Sequence, residues 1–163
     1  MDKFTGQVGV VCGATAGTFG QLIEKVTHST AFHVVVYLSE HECVSADFDG
    51  VTVRDPAVYG DAVTVSKFEL TDEQRAAITA RATKCVGKPY AFLDDLMIGI
   101  SDLTGARIPR PFRWLLALPW AYMCSELSAL ALAEAGIHIR ADREPVEITP
   151  GDFETYFKQE GWM

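Results

Sequence analysis

The sequence predicts an α+β domain in which an antiparallel sheet or small barrel packs against helices. In the first half, short β-branched and aromatic segments alternate with turn residues, and the second half is dominated by helical patterns, so strands and helices are segregated along the chain. The 163 residues, 48% hydrophobic and 22% charged, follow ordinary globular usage and suffice to bury a core, so residues 1–163 are expected to form a single domain.

Val8 to Cys12 is a short apolar strand. Gly13, Gly17 and Gly20 then mark a loop into a helix from about Phe19 to Thr27. Ala31 to Ser39 carries Phe-His-Val-Val-Val-Tyr-Leu, the composition of a central strand. Glu40-His41 is a tight connection, Cys43 to Asp47 a further strand, Asp49-Gly50 a turn, and Val51 to Arg54 the returning strand. Ala62 to Phe68 alternates and is expected to be another strand. Thr71 with Gln74 forms a capping box for a helix running to about Val86 and ending at Gly87. A second helix is expected from roughly Tyr90 to Asp102, a loop from Gly105 to Pro111, and a short apolar turn from Phe112 to Leu118 stopped by Pro119. Met123 to Ala135 is a strong helix ended by Gly136, and Pro150 opens the last helix, through Phe157. No internal repeat or low-complexity run interrupts this order.

Bulk properties narrow the function classes. The net charge of −8 repels phosphate backbones, so nucleic acid is not an expected partner. Met1 to Val11 lacks the apolar segment of a signal peptide, and the most apolar stretch, Trp114 to Met123, is short and broken by Pro119. The expectation is a cytoplasmic protein without stable membrane insertion. With no signal peptide and an ample core, the four cysteines are expected to be free thiols rather than two disulfides.

Among those cysteines, Cys124 alone opens a helix, where unpaired N–H groups and the helix dipole favour a thiolate and can hold an oxyanion. Cys12 and Cys43 fall in apolar strand segments, and Cys85 falls late in a helix. A thiolate hydrolase also needs an imidazole. His41 and His138 lie in turn-like segments and His28 ends a helix, whereas His33 sits inside an apolar strand, where an imidazole requires a partner. Ser45 and Asp47, two apart on the neighbouring strand, share a face, and either can orient His33 across the hairpin. No standard metal-ligand spacing links His28, His33, His41 and Cys43, and Gly13 to Gly20 lacks the Lys-Ser/Thr of a phosphate loop, so neither metal nor cofactor is expected.

Taken in order, these segments resemble the permuted papain-like group of NlpC-type cysteine peptidases and amidases, especially its YiiX/YebB-like branch. The resemblance rests on Ser29-Thr30-Ala31-Phe32-His33-Val34-Val35-Val36-Tyr37, Val44-Ser45-Ala46 through Gly50-Val51, Gly87-Lys88-Pro89-Tyr90, Cys124-Ser125-Glu126-Leu127, and Thr149-Pro150-Gly151-Asp152-Phe153. The order of histidine before cysteine is the permuted one. The resemblance spans nearly the whole chain and implies a circularly permuted papain-like fold, Cys124 as nucleophile and His33 as base. Two positions depart from it: the family often has Glu where this chain has Ser45, and Tyr-Asp where it has Tyr90-Ala91.

Tyr90, Ser125 and Trp114 are the candidate substrate-binding residues. Trp114 belongs to a segment in which Arg107, Arg110 and Arg113 interleave with prolines and aromatics. The expected activity is hydrolysis of an amide or peptide bond, in a peptidoglycan stem peptide or another isopeptide, by a bacterial or phage protein. Two alternatives use the same framework: a lipid acyltransferase or thiol lipase, similar to the lecithin retinol acyltransferase branch, and a catalytically inactive binding module. The expected partner is thus a peptide, cell-wall or lipid-linked substrate, and oligomeric state is not legible.

Overall fold

The computed structural model describes residues 2–13, 29–47, 49–89 and 123–163. The helices and loops expected between Phe19 and Thr27 and between Tyr90 and Leu118 lie outside the described residues. Five strands form one antiparallel sheet: β1 (Val8–Cys12), β2 (Ala31–Ser39), β3 (Glu42–Asp47), β4 (Gly50–Arg54) and β5 (Val63–Val65). Their spatial order is β4-β3-β2-β1-β5, which places β2 at the centre. Three α-helices follow among the described residues: α1 (Asp72–Thr83), α2 (Cys124–Ala133) and α3 (Pro150–Gln159). The expected α+β architecture is present, and no described helix is long and apolar enough to cross a membrane.

Alternation along the strands divides the sheet into two faces. Val8, Val10, Val34, Val36, Val44 and Val51 enter the main core, which the helices close with Ile78, Leu127, Leu132, Phe153 and Phe157. Phe153 and Phe157 are fully buried, and burial of each stabilises the fold by about 1.5–3 kcal/mol relative to exposure. Val35, Tyr37 and Cys43 form a smaller cluster on the opposite face with Phe4, Tyr59 and Val65. All three α-helices pack against β2.

Two boundaries differ from expectation. The strand expected over Ala62 to Phe68 is only Val63–Val65. Beyond it, one backbone bond remains, from Ser66 N–H to the Val8 carbonyl at 2.8 Å, and side chains take over: Val8 N–H donates to Ser66 Oγ at 2.9 Å, Phe68 N–H donates to Gln7 Oε1 at 3.1 Å, and Gln7 Nε2 donates to the Phe68 carbonyl at 2.9 Å. The α1 helix stops at Thr83 rather than near Val86, because the chain turns to join β4. Gly87 N–H donates to the Val51 carbonyl and Val51 N–H to the Lys88 carbonyl, each at 2.8 Å. The capping box expected of Thr71 and Gln74 is present.

Gly50 is required at that junction. Its φ is +103°, and a Cβ there would meet the Lys88 carbonyl oxygen at 2.9 Å. Gly50→Ala is expected to lower stability by about 1–3 kcal/mol, from the backbone conformation and the overlap together, with the urea midpoint as the measurement. An unchanged midpoint would show that the junction yields freely.

Candidate functional site

His33 is the first β2 residue on the smaller face. Val11 pairs with His33 but Cys12 pairs with Ala31, so Phe32 is an extra residue that bulges the strand. The bulge re-aims the chain. Ala31 belongs to the main core, whereas the His33 ring turns to the other face. There its Nε2 lies 2.8 Å from Ser45 Oγ, in hydrogen-bonding contact, and Ser45 Oγ lies 3.1 Å from the Tyr59 hydroxyl. The His33 and Tyr59 rings are tilted neighbours at 5.7 Å. His33 is 7% exposed and Ser45 is fully buried.

Burial is the main influence on the His33 imidazole and pushes its pKa from 6.5 down to about 4; the Asp47 carboxylate pulls upward and the Arg54 guanidinium downward. Ser45 therefore holds the ring nitrogen, while Asp47 acts on it by charge. The two side chains that the sequence left as competing orienters have separate parts in the same site. Burial likewise raises the pKa of the Cys43 thiol to about 12 on this face, which keeps it a protonated, inert core residue.

Tyr59 was not singled out by the sequence. It lies in a 3-10 segment, Pro56–Ala62, capped by Asp55, whose Oδ1 accepts from Ala57 N–H at 2.9 Å, and interrupted at Gly60 with φ of +51°. The Asp55-Pro56 pair is a legible turn signal. Nothing in the sequence couples that turn to Ser45, fourteen residues earlier.

Cys124 is the first residue of α2 and is 4% exposed. The preceding Met123 supplies no side-chain acceptor to the helix start, in contrast to Thr71 and Thr149, which cap α1 and α3. Glu126, in the first turn, is driven up to about 7 by burial against the pull of Met123 N–H and Arg81, so its negative charge is partly discharged near neutrality. Ser125, a candidate substrate-binding residue, is buried and donates its hydroxyl to the Ile148 carbonyl at 2.6 Å. That bond ties α2 to the segment that leads into α3. Tyr90, Trp114 and the basic-aromatic stretch around Trp114 lie outside the described residues. None of the four cysteines is in a disulfide, and the described residues contain no cluster of His, Cys, Asp and Glu suited to a metal ion.

A buried carboxylate that the sequence did not single out holds the start of β2. Glu154 of α3 is 4% exposed. Its Oε2 accepts from the Ser29 hydroxyl, from Thr30 N–H at 3.0 Å and from Ala31 N–H at 3.2 Å, and its Oε1 accepts from Thr30 Oγ1 at 2.8 Å and Lys158 Nζ at 2.5 Å. Gly151 allows this approach, since a Cβ there would meet Ser29 Cβ at 2.9 Å. Burial works to raise the Glu154 pKa, but Lys158, Ser29, Thr30 and Ala31 together bring it from 4.5 down to about 2. The clamp fixes the strand two residues before His33 and so sets where the imidazole stands.

These features define an α+β protein whose central strand carries a buried, hydroxyl-held histidine and whose α2 helix opens on a cysteine. No protein-family model matches the chain, and a comparison with curated proteins found no match.

Two pH effects follow, in adjoining windows. Folding lowers the His33 pKa, so stability supplied by the neutral ring is present above 6.5 and is lost as pH falls toward about 4. In His33→Gln the urea midpoint should fall less across that window than in the parent. Folding also lowers the Glu154 pKa, so its contribution is present above 4.5 and is lost toward about 2. Glu154→Gln should be less stable at neutral pH by about 1.5–3 kcal/mol, as expected when charged hydrogen bonds are weakened, and should lose stability less steeply in the lower window. Parallel pH profiles of parent and variant would refute either assignment.

Proposed function

We propose that the protein is a cysteine hydrolase that cleaves an amide or peptide bond on a circularly permuted papain-like framework, with Cys124 as nucleophile and His33 as general base. The observation that carries this reading is the His33–Ser45 hydrogen bond at 2.8 Å on the central strand, which holds an imidazole where the resemblance expects the base; the pairing of that ring with Cys124, which belongs to the main core on the other side of the strand, rests on the sequence resemblance. Ser45 engages Nε2 and leaves Nδ1 as the nitrogen for the thiol proton. In the reaction Nδ1 takes that proton as Sγ attacks the carbonyl carbon of the substrate. The N–H groups of the first turn of α2, which have no acceptor within the helix, hold the developing oxyanion. The imidazolium then returns its proton to the departing amine, and water hydrolyses the thioester with His33 again as base.

The low pKa of the ring has a consequence for this scheme. With burial opposing the imidazolium, the ring rests neutral and takes the proton during attack. The mechanism then resembles that of a serine hydrolase more than that of a preformed thiolate–imidazolium pair. The substrate class, a peptide or isopeptide of the cell-wall type, rests on the sequence resemblance.

Alkylation with iodoacetamide under native conditions at neutral pH tests the reading. Cys124 is expected to label fastest of the four cysteines, and His33→Ala to slow that labelling by at least about tenfold, in line with the usual contribution of a general base. Preferential labelling of another cysteine, or a Cys124 rate indifferent to His33→Ala, would overturn it.

A further inference from the structure

We propose that Tyr59 is a positioning residue of this site: through Ser45, its hydroxyl determines which ring nitrogen of His33 carries the proton. The inference rests on the reading of His33 as proton acceptor, and it begins from a count of protons. Among the described residues, Ser45 Oγ has two hydrogen-bond neighbours, His33 Nε2 at 2.8 Å and the Tyr59 hydroxyl at 3.1 Å. The Ser45 hydroxyl has a single proton to give. If it goes to Nε2, the neutral ring must carry its own proton on Nδ1, which then has no lone pair left to take the thiol proton. If the Ser45 proton goes to the Tyr59 oxygen, Oγ is free to accept from Nε2–H, and Nδ1 is bare.

Only the second arrangement prepares a base, and the Tyr59 oxygen makes it available. Ser45 is fully buried, so water does not readily replace that acceptor. The same arrangement serves the imidazolium, whose Nε2–H must have an acceptor while the proton from the thiol resides on Nδ1. Tyr59 and Ser45 together thus do with two hydroxyls what a carboxylate does alone: they offer Nε2–H an oxygen. Unlike a carboxylate, they add no negative charge, which leaves the buried ring neutral at rest.

Nitrogen-15 NMR of the histidine rings in the full chain tests this, with the His33 signals assigned by their loss in His33→Gln. In the parent, Nε2 of His33 should carry the proton and Nδ1 should be bare. In Tyr59→Phe, which keeps the ring packed against His33 but removes the oxygen, the proton should move to Nδ1 in most molecules. Cys124 alkylation should then slow by about fivefold to tenfold, the population effect of one ordinary hydrogen bond. In a Ser45→Ala background, Tyr59→Phe should leave the His33 signals unchanged, because the link is already cut; a ring-packing role would still shift them. Unchanged His33 protonation in Tyr59→Phe, or an equal shift in the Ser45→Ala background, overturns the proposal. These spectra do not depend on the chemistry of Cys124. A tautomer shift without any dependence of Cys124 labelling on His33 would therefore retain the relay while refuting the hydrolase.

Discussion

Because β2 is hydrogen-bonded on both sides and buried on both faces, every polar side chain along its central part must find its partner inside the protein. Val34 and Val36 enter the main core, and Val35 and Tyr37 the smaller one. His33 stands among them at 7% exposure. Its hydrogen bond to Ser45, and the further contact of Ser45 with Tyr59, answer that constraint. They also fix the plane of a ring that would otherwise rotate about its χ angles.

The electrostatic character of the site follows from the hydroxyl at the position where a carboxylate is common in the resembled family. A carboxylate on Nε2 would favour the imidazolium, whereas a neutral hydroxyl leaves desolvation dominant, and the ring pKa falls to about 4. Asp47 supplies part of the missing charge through space, and Arg54 opposes it. The ring is therefore neutral at rest near neutral pH.

Glu154 shows how a distant helix controls the same strand. Five donors converge on one buried carboxylate, and their combined effect outweighs the desolvation of the charge. The clamp and the bulge at Phe32 lie on either side of Ala31. Between them they decide that Ala31 enters the main core and that His33 crosses to the other face.

The strands β1 to β4, the capping box of Thr71 and Gln74, the glycine that follows α1, and the Pro150 start of α3 were legible in the sequence, because each depends on local periodicity or on a backbone preference within a few residues. So were His33 as a polar residue in an apolar strand and Cys124 as the cysteine at a helix start. The early end of β5 at Val65 was not, since it is set by contacts of Phe68 with Gln7, some sixty residues away. By itself the sequence determined which elements hold His33, Ser45 and Cys124. Only the tertiary structure decided that Ser45 rather than Asp47 holds the His33 ring, that Tyr59 joins them, that Ser125 turns inward, and that Glu154 clamps the strand. Those contacts join residues far apart in the chain. They arise from burial and sheet register, to which a local pattern is blind.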